Sequence, residues 1–286
     1  MSIRISDLTR YGFNSDGTPI FLYHYTNIES AIKILTTGNL LMNSLGNMND
    51  PWEFLWRTPC VISNGDPSIQ ESLEMVRNNQ LAHEERNKCV RLVSLAMDKD
   101  NSFSILHKGW NLLSMWTLYG NNHAGAYLIF DFKSLCHSFN DMCESKNITP
   151  VYRPIDYVDN LDDLEDMFHQ PITSFVDSVH IKHLFTKPDN YAPEQEYRFI
   201  IINPNLSDTS SREKMPIKAA IRGIITGYRY NQVKQQYESQ LANTLASYGD
   251  EISRFEMNSA MFTDPLYSQK ETSEWIEKIQ KKYGNE

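Results

Sequence analysis

The run Glu194-Gln195-Glu196-Tyr197-Arg198-Phe199-Ile200-Ile201-Ile202 gathers the densest set of reactive groups in this 286-residue chain. Read as a β-strand, it puts Glu194, Glu196 and Arg198 on one face and Tyr197, Phe199 and Ile201 on the other, because successive side chains alternate. Neighbours on one face lie roughly 6.5–7 Å apart. Two carboxylates and a guanidinium that lead into solid isoleucine are costly to bury without partners or a task. One fixed carboxylate of such a pair can stabilise a developing cation. A second carboxylate nearby raises the pKa of one member and suits it to general-base work. The plainer alternative is an edge strand whose acids pair with Arg198 and solvent.

His24 is the second candidate. It sits in Phe21-Leu22-Tyr23-His24-Tyr25-Thr26, whose aromatic content reads as a strand. Thr26-Asn27-Ile28-Glu29 follows as a capping box. Ile28, Ala31, Ile32 and Leu35 recur at helical spacing, and Gly38 stands where a helix ends. His24 therefore falls at a strand end beside a helix N-terminus, although a hydrogen-bonded core histidine is the commoner outcome there. Over Asn111 to Gly120, Leu112, Met115, Trp116 and Tyr119 form one helical stripe, for which core packing is weighed ahead of ligand stacking. Asn49-Asp50-Pro51 has turn composition, and Trp52 and Glu53 after it can line a pocket.

The elements that must position these groups are of mixed kind. Strands are expected at Leu40–Met42, Arg91–Met97, Ala124–Phe132, Val151–Val158 and Ile217–Tyr228, with a charged helical pattern over 66–91. Helix is expected from the acidic patch at Asp159 to about Thr186, and for most of the chain beyond Tyr228. The expected architecture is α+β: a single domain with a central mixed, largely antiparallel sheet flanked by helices. Residues 1–19 read as an N-terminal extension, 20–230 as the main α+β domain and 231–286 as a helical segment packed on it.

Composition sets outer bounds. A 41% apolar content with 12% aromatics is globular, and a net charge of −9 argues against a nucleic-acid-binding surface overall. Lys182, Lys187, Arg222 and Arg229 are too scattered to define a basic groove. With no apolar stretch long enough to span a membrane, a soluble, cytoplasmic protein with no membrane partner is expected. Cys60, Cys89, Cys136 and Cys143 lack paired spacing and read as reduced, buried thiols. His180 and His183 have a chelating spacing but no carboxylate at motif distance, so no metal site is expected.

Four islands occur in order: Tyr23-His24-Tyr25-Thr26, Asn49-Asp50-Pro51-Trp52-Glu53, Met115-Trp116-Thr117-Leu118-Tyr119-Gly120 with His123-Ala124-Gly125, and Glu194-Gln195-Glu196-Tyr197-Arg198. Together, over roughly residues 20–230, they resemble the bacterial family catalogued as domain of unknown function 2971. The placing of His24, Tyr119 and Glu196 also resembles the His-Tyr-Glu layout of ADP-ribosyltransferases, and the opening is similar to that of their DNA-modifying toxins. That resemblance implies a split sheet, NAD as co-substrate and a macromolecular acceptor, protein or nucleic acid, in a bacterial toxin or phage-defence effector. It implies that His24 holds the NAD ribose, Tyr119 stacks on nicotinamide, Glu196 is the catalytic carboxylate and Glu194 the accessory acid. Tyr25, Thr26 and Asn49 would complete the NAD cleft. Arg198 would bind pyrophosphate, or else only neutralise Glu196. Transfer of ADP-ribose or hydrolysis of NAD is the activity expected. A non-catalytic ligand-sensing or interaction module is the alternative. A metal-dependent nuclease built on Asp50, Glu53 and Glu196 ranks last.

Overall fold

The computed structural model describes residues 3–9, 12–48, 74, 77, 88–159, 181–182, 184–203, 205–206, 209–257 and 266–268. The segment 49–53, most of the 66–91 pattern, the expected helix after Asp159, His180, His183 and Glu271–Lys282 lie outside these residues.

After a short helix α1 (Ile5–Thr9), strand β1 (Phe21–Thr26) is aromatic and extended, and it runs directly into helix α2 (Ile28–Thr37). The helix starts one residue later than the capping-box reading requires. Thr26 stays in the strand, and the Asn27 side chain accepts from the Ser30 amide at 2.7 Å. A short carboxamide in extended backbone satisfies one of the free amides of the first turn, which is what an N-cap needs. Gly38 closes the helix in the left-handed region, at φ 66°.

Among the described residues, eight strands form one sheet in the order β12-β11-β10-β4-β1-β3-β8-β5. Its members are β1, β3 (Val90–Ala96), β4 (Ala126–Asp131), β5 (Pro150–Pro154), β8 (Glu196–Ile202), β10 (Ile221–Thr226), β11 (Ser253–Met257) and β12 (Leu266–Ser268). Every pairing is antiparallel except β10 with β11, so the sheet is mixed and largely antiparallel as expected. Two ribbons flank it: β2 (Asn39–Met42) with β9 (Glu213–Pro216), and β6 (Asp156–Val158) with β7 (Thr186–Pro188). The tail beyond Tyr228 departs from the expected helical segment. Helix α5 (Lys234–Ala246) is present, but β11 and β12 follow it and extend the sheet edge. Ser253-Arg254-Phe255-Glu256-Met257 does alternate, with Phe255 and Met257 buried, but the pattern is too short to stand out.

The pleat sorts the core. Leu22, Val93, Leu95, Leu128, Tyr197, Phe199 and Ile201 lie on one face beneath α2 and α4 (Phe132–Ser145). Tyr23, Tyr25, Ala96 and Tyr127 lie on the other face, beneath Trp110 and Trp116. On that second face Leu92 and Ile200 pack with Leu45, Leu184 and Phe185.

Two strands in the middle barely meet. Among the described residues β1 is joined to β3 through the one pair Tyr23↔Ala96, whereas β3 and β8 pair along seven residues, from Val90↔Ile202 to Ala96↔Glu196. From Tyr23 towards Thr26 the two strands part, and the sheet is split there.

Candidate functional site

The split holds a cleft of about 350 Å³, at the small end of the range for small-molecule sites. His24, Ser94, Tyr119, Lys187, Glu194 and Glu196 all line it. Tyr25 and Thr26 form part of the β1 wall. His24 and Tyr119, singled out from sequence and on elements far apart in the chain, thus share one opening with the two glutamates.

His24 reaches the cleft because the strands part. Alternation sets it on the same face as Leu22, opposite to Tyr23 and Tyr25. Its imidazole bonds the Ser94 backbone across the gap, which favours the charged ring, but burial outweighs this and lowers its pKa to about 4. The ring is neutral at pH 7. Tyr25 is a core residue: its hydroxyl donates to the Gly109 carbonyl at 2.8 Å and accepts from the Leu112 amide at 3.1 Å. It thereby ties β1 to the turn that precedes helix α3 (Leu113–Leu118).

Helix α3 divides its stripe. Trp116 is fully buried, and its indole N–H donates to the Trp110 carbonyl at 3.0 Å. Met115 and Tyr119, the latter at the helix C-cap, face the cleft. Behind them the chain makes a left-handed turn, with φ of 49°, 50° and 68° at Asn121, Asn122 and His123. The buried His123 ring stacks on Trp116 at 5.9 Å and lies 4.7 Å from Tyr228, so His123 braces the helix from beneath and does not line the cleft.

The opposite wall carries the charges, in an arrangement that differs from the sequence reading. Glu194 is not on the strand. It ends a 3₁₀ helix, Asp189–Glu194, and Gln195 adopts the left-handed region at φ 49°, so β8 begins at Glu196. Pro193 inside this segment cannot donate to a ladder, which helps to keep it out of the sheet. The two glutamates are joined through Lys187, whose ammonium lies 2.9 Å from Glu194 Oε2 and 2.9 Å from Glu196 Oε2.

Glu196 is only 4% exposed and densely bonded. Oε1 accepts from Ser94 Oγ at 2.5 Å and from Arg198 Nε at 2.5 Å, and Oε2 from Arg198 Nη2 at 3.1 Å. Burial alone pushes the carboxyl pKa up. The Arg198 guanidinium and then the Lys187 ammonium outweigh it and hold Glu196 well below the usual carboxylate range. The mutual raising expected of paired carboxylates is thus reversed at Glu196 by the cations beside it. Arg198 is 1% exposed, also donates to the Leu184 carbonyl at 2.7 Å, and is not among the cleft-lining residues. Its guanidinium fixes Glu196 from behind the wall. Asn49 lies outside the described residues.

Two contributors escaped the sequence reading. Ser94 links both walls, through its backbone to His24 and its hydroxyl to Glu196. A lone serine within Val-Arg-Leu-Val-Ser-Leu-Ala was the available signal. Lys187 carried none, because a turn brings it to glutamates seven and nine residues on. Among the described residues no group of three or more His, Cys, Asp or Glu is placed to hold a metal ion. No described helix is long and apolar enough to cross a membrane.

No curated protein matches the chain. Among solved structures, Thermus sp. 2.9 DarT in complex with ADP-ribosylated ssDNA is similar at 13% identity, over 84% of this chain and 92% of that chain. The TM-score of 0.30 is too low for an argument to rest on it. Residues 115–199, which contain Tyr119, Lys187, Glu194, Glu196 and Arg198, match the model of the family described as "Protein of unknown function (DUF2971)", and so bear out that resemblance over this stretch.

Proposed function

We propose that this protein binds NAD in the split between β1 and β3 and cleaves its nicotinamide–ribose bond, transferring ADP-ribose to a macromolecule or to water. The observation that carries the reading is the meeting of His24, Tyr119 and Glu196 on one cleft. In the proposed step the glycosidic C–N bond breaks and nicotinamide leaves with the bonding pair. The oxocarbenium ion at the ribose is captured by an acceptor O–H or N–H, or by water, which releases a proton. A carboxylate fixed as an anion suits stabilisation of that cation and not proton abstraction. Proton removal falls to Glu194, at the cleft wall, or to solvent. Neutral His24 offers one ring nitrogen to a ribose hydroxyl, and Tyr119 offers a face for a planar ring.

NAD labelled in the nicotinamide ring, incubated with the protein and with mixed protein, DNA and RNA, tests this directly. Wild type is expected to release free nicotinamide, and Glu196→Gln to lower the rate at least ~100-fold, the scale of losing one preorganised electrostatic group. Absence of release together with absence of an NAD-induced shift in melting temperature overturns the proposal.

A non-catalytic reading rests on one specific observation, the burial and fourfold bonding of Glu196. If the ion network only holds the fold, Glu196→Gln lowers the melting temperature and leaves ligand binding in the cleft intact. Stability and nicotinamide release measured on the same variant separate the two readings.

A further inference from the structure

Glu196 lines the cleft, yet its carboxylate is already saturated. A carboxylate has about four lone-pair positions. Ser94 Oγ and Arg198 Nε take those of Oε1, and Arg198 Nη2 and Lys187 Nζ those of Oε2. A substrate hydroxyl can bond Glu196 only by displacing one of these donors. Arg198 is buried, grips the carboxylate through two nitrogens and is anchored again at the Leu184 carbonyl. Ser94 sits on a short stem from a strand fixed by the β3–β8 ladder.

Lys187 is buried too, but it holds Glu196 through a single nitrogen. It lines the cleft and carries its charge on a flexible four-carbon stem. Its ammonium is already shared with Glu194, and the Tyr191 ring lies 5.0 Å from it as a further resting contact. When Lys187 leaves Glu196, Glu194 can keep hold of it. The two glutamates, Lys187 and Arg198 sum to zero formal charge, so the cluster as a whole does not repel an anion.

The geometry points to Lys187 as a latch on Glu196 that an anionic substrate group opens, which makes the preferred substrate a dinucleotide diphosphate and disfavours the corresponding nucleoside. This inference rests on the NAD-cleavage reading above. A diphosphate entering the cleft draws the ammonium off Oε2, and a ribose hydroxyl donates to the lone pair it vacates. Only hydrogen bonds and ion pairs are exchanged in this step. Because the latch controls access to the reacting carboxylate, its effect falls on kcat.

The test compares nicotinamide release from NAD and from nicotinamide riboside by wild type, Lys187→Met and Lys187→Gln. The Gln variant keeps two N–H donors for the glutamates and so serves if Met impairs folding, with circular dichroism checking both. Wild type is expected to favour NAD by at least ~100-fold in kcat, as when a remote substrate group drives an active-site rearrangement. Both variants are expected to narrow that ratio to within about 10-fold, chiefly by a higher kcat on the riboside. A kcat ratio that stays at the wild-type value in the variants, or a change confined to KM, overturns the latch and leaves NAD cleavage standing. Failure of wild type to release nicotinamide from NAD overturns the underlying reading as well.

Discussion

Arg198 acts through the carboxylate it neutralises, and removing either partner has unequal consequences. Arg198→Met leaves Glu196 buried beside one cation instead of two, and a loss of about 3–5 kcal/mol of stability is expected from equilibrium denaturation. Glu196→Gln discards the buried anion itself and is expected to cost less. The same burial makes stability depend on pH. Glu196 has a folded pKa lowered to about 2, so the unfolded chain binds its proton first as pH falls. Its contribution is complete above the unfolded value, about 4.3, and is lost between there and about pH 2. His24 is also lowered, to about 4 from 6.5, so the unfolded state again takes up the proton first, now between about pH 6.5 and 4. Stability is therefore expected to fall continuously from pH 7 towards pH 2. His24→Phe should flatten only the upper part, where the slope due to this group is at most about 1.4 kcal/mol per pH unit. Denaturation midpoints taken across that range check both statements; a profile unchanged by His24→Phe counts against a neutral imidazole in the folded protein. At this scale the sequence exposes residues by type and neighbourhood. Glu196 stood out as a carboxylate at the mouth of an apolar strand. Lys187 did not, since its importance comes from two ion pairs made across a turn.

The elements carry the side chains to the cleft through local chemistry that can be perturbed separately. Asn27→Ala removes the cap of α2 and is expected to cost about 1 kcal/mol in thermal or chemical unfolding. Gly227 is a stricter position. A Cβ there would lie 2.1 Å from the His123 carbonyl oxygen, which is backbone and cannot swing away. Gly227→Ala is expected to destabilise by at least about 1–3 kcal/mol and to disturb the left-handed turn that supports Trp116 and, on its far side, Tyr119. Near-ultraviolet circular dichroism, sensitive to the Trp116 environment, reports on that disturbance. Most elements were legible because their periodicity and punctuation agree, as in the Ile28–Leu35 stripe closed by Gly38. The misplacements fall where a local device competes with the pattern. Gln195 turns left-handed and removes Glu194 from the strand, and a one-residue shift hands the α2 cap from Thr26 to Asn27.

At the scale of the molecule, the sheet order and the split were not readable as positions in the chain. β3 lies between β1 and β8 through contacts across more than sixty residues on either side, and nothing local to β1 announces that its register with β3 stops at Tyr23. The strands beyond α5 were likewise missed, because five alternating residues make a weak pattern beside a longer helical one. What could be foreseen was the class, α+β with a largely antiparallel sheet, since that follows from the mixture of elements and not from their order.

The one-pair joint between Tyr23 and Ala96 gives the sheet a seam. On one side lie β12, β11, β10, β4 and β1, on the other β3, β8 and β5. Apart from Leu92, which pairs with Asn43, the strand edges along the seam lack the ladder that protects amides elsewhere, so hydrogen–deuterium exchange is expected to be faster along the cleft edges of β1 and β3 than within the β3–β8 ladder. Any ligand that touches both His24 and Glu196 bridges the seam, acting as a clasp between two blocks of sheet. Its arrival should slow exchange along both edges together, including at amides it does not contact.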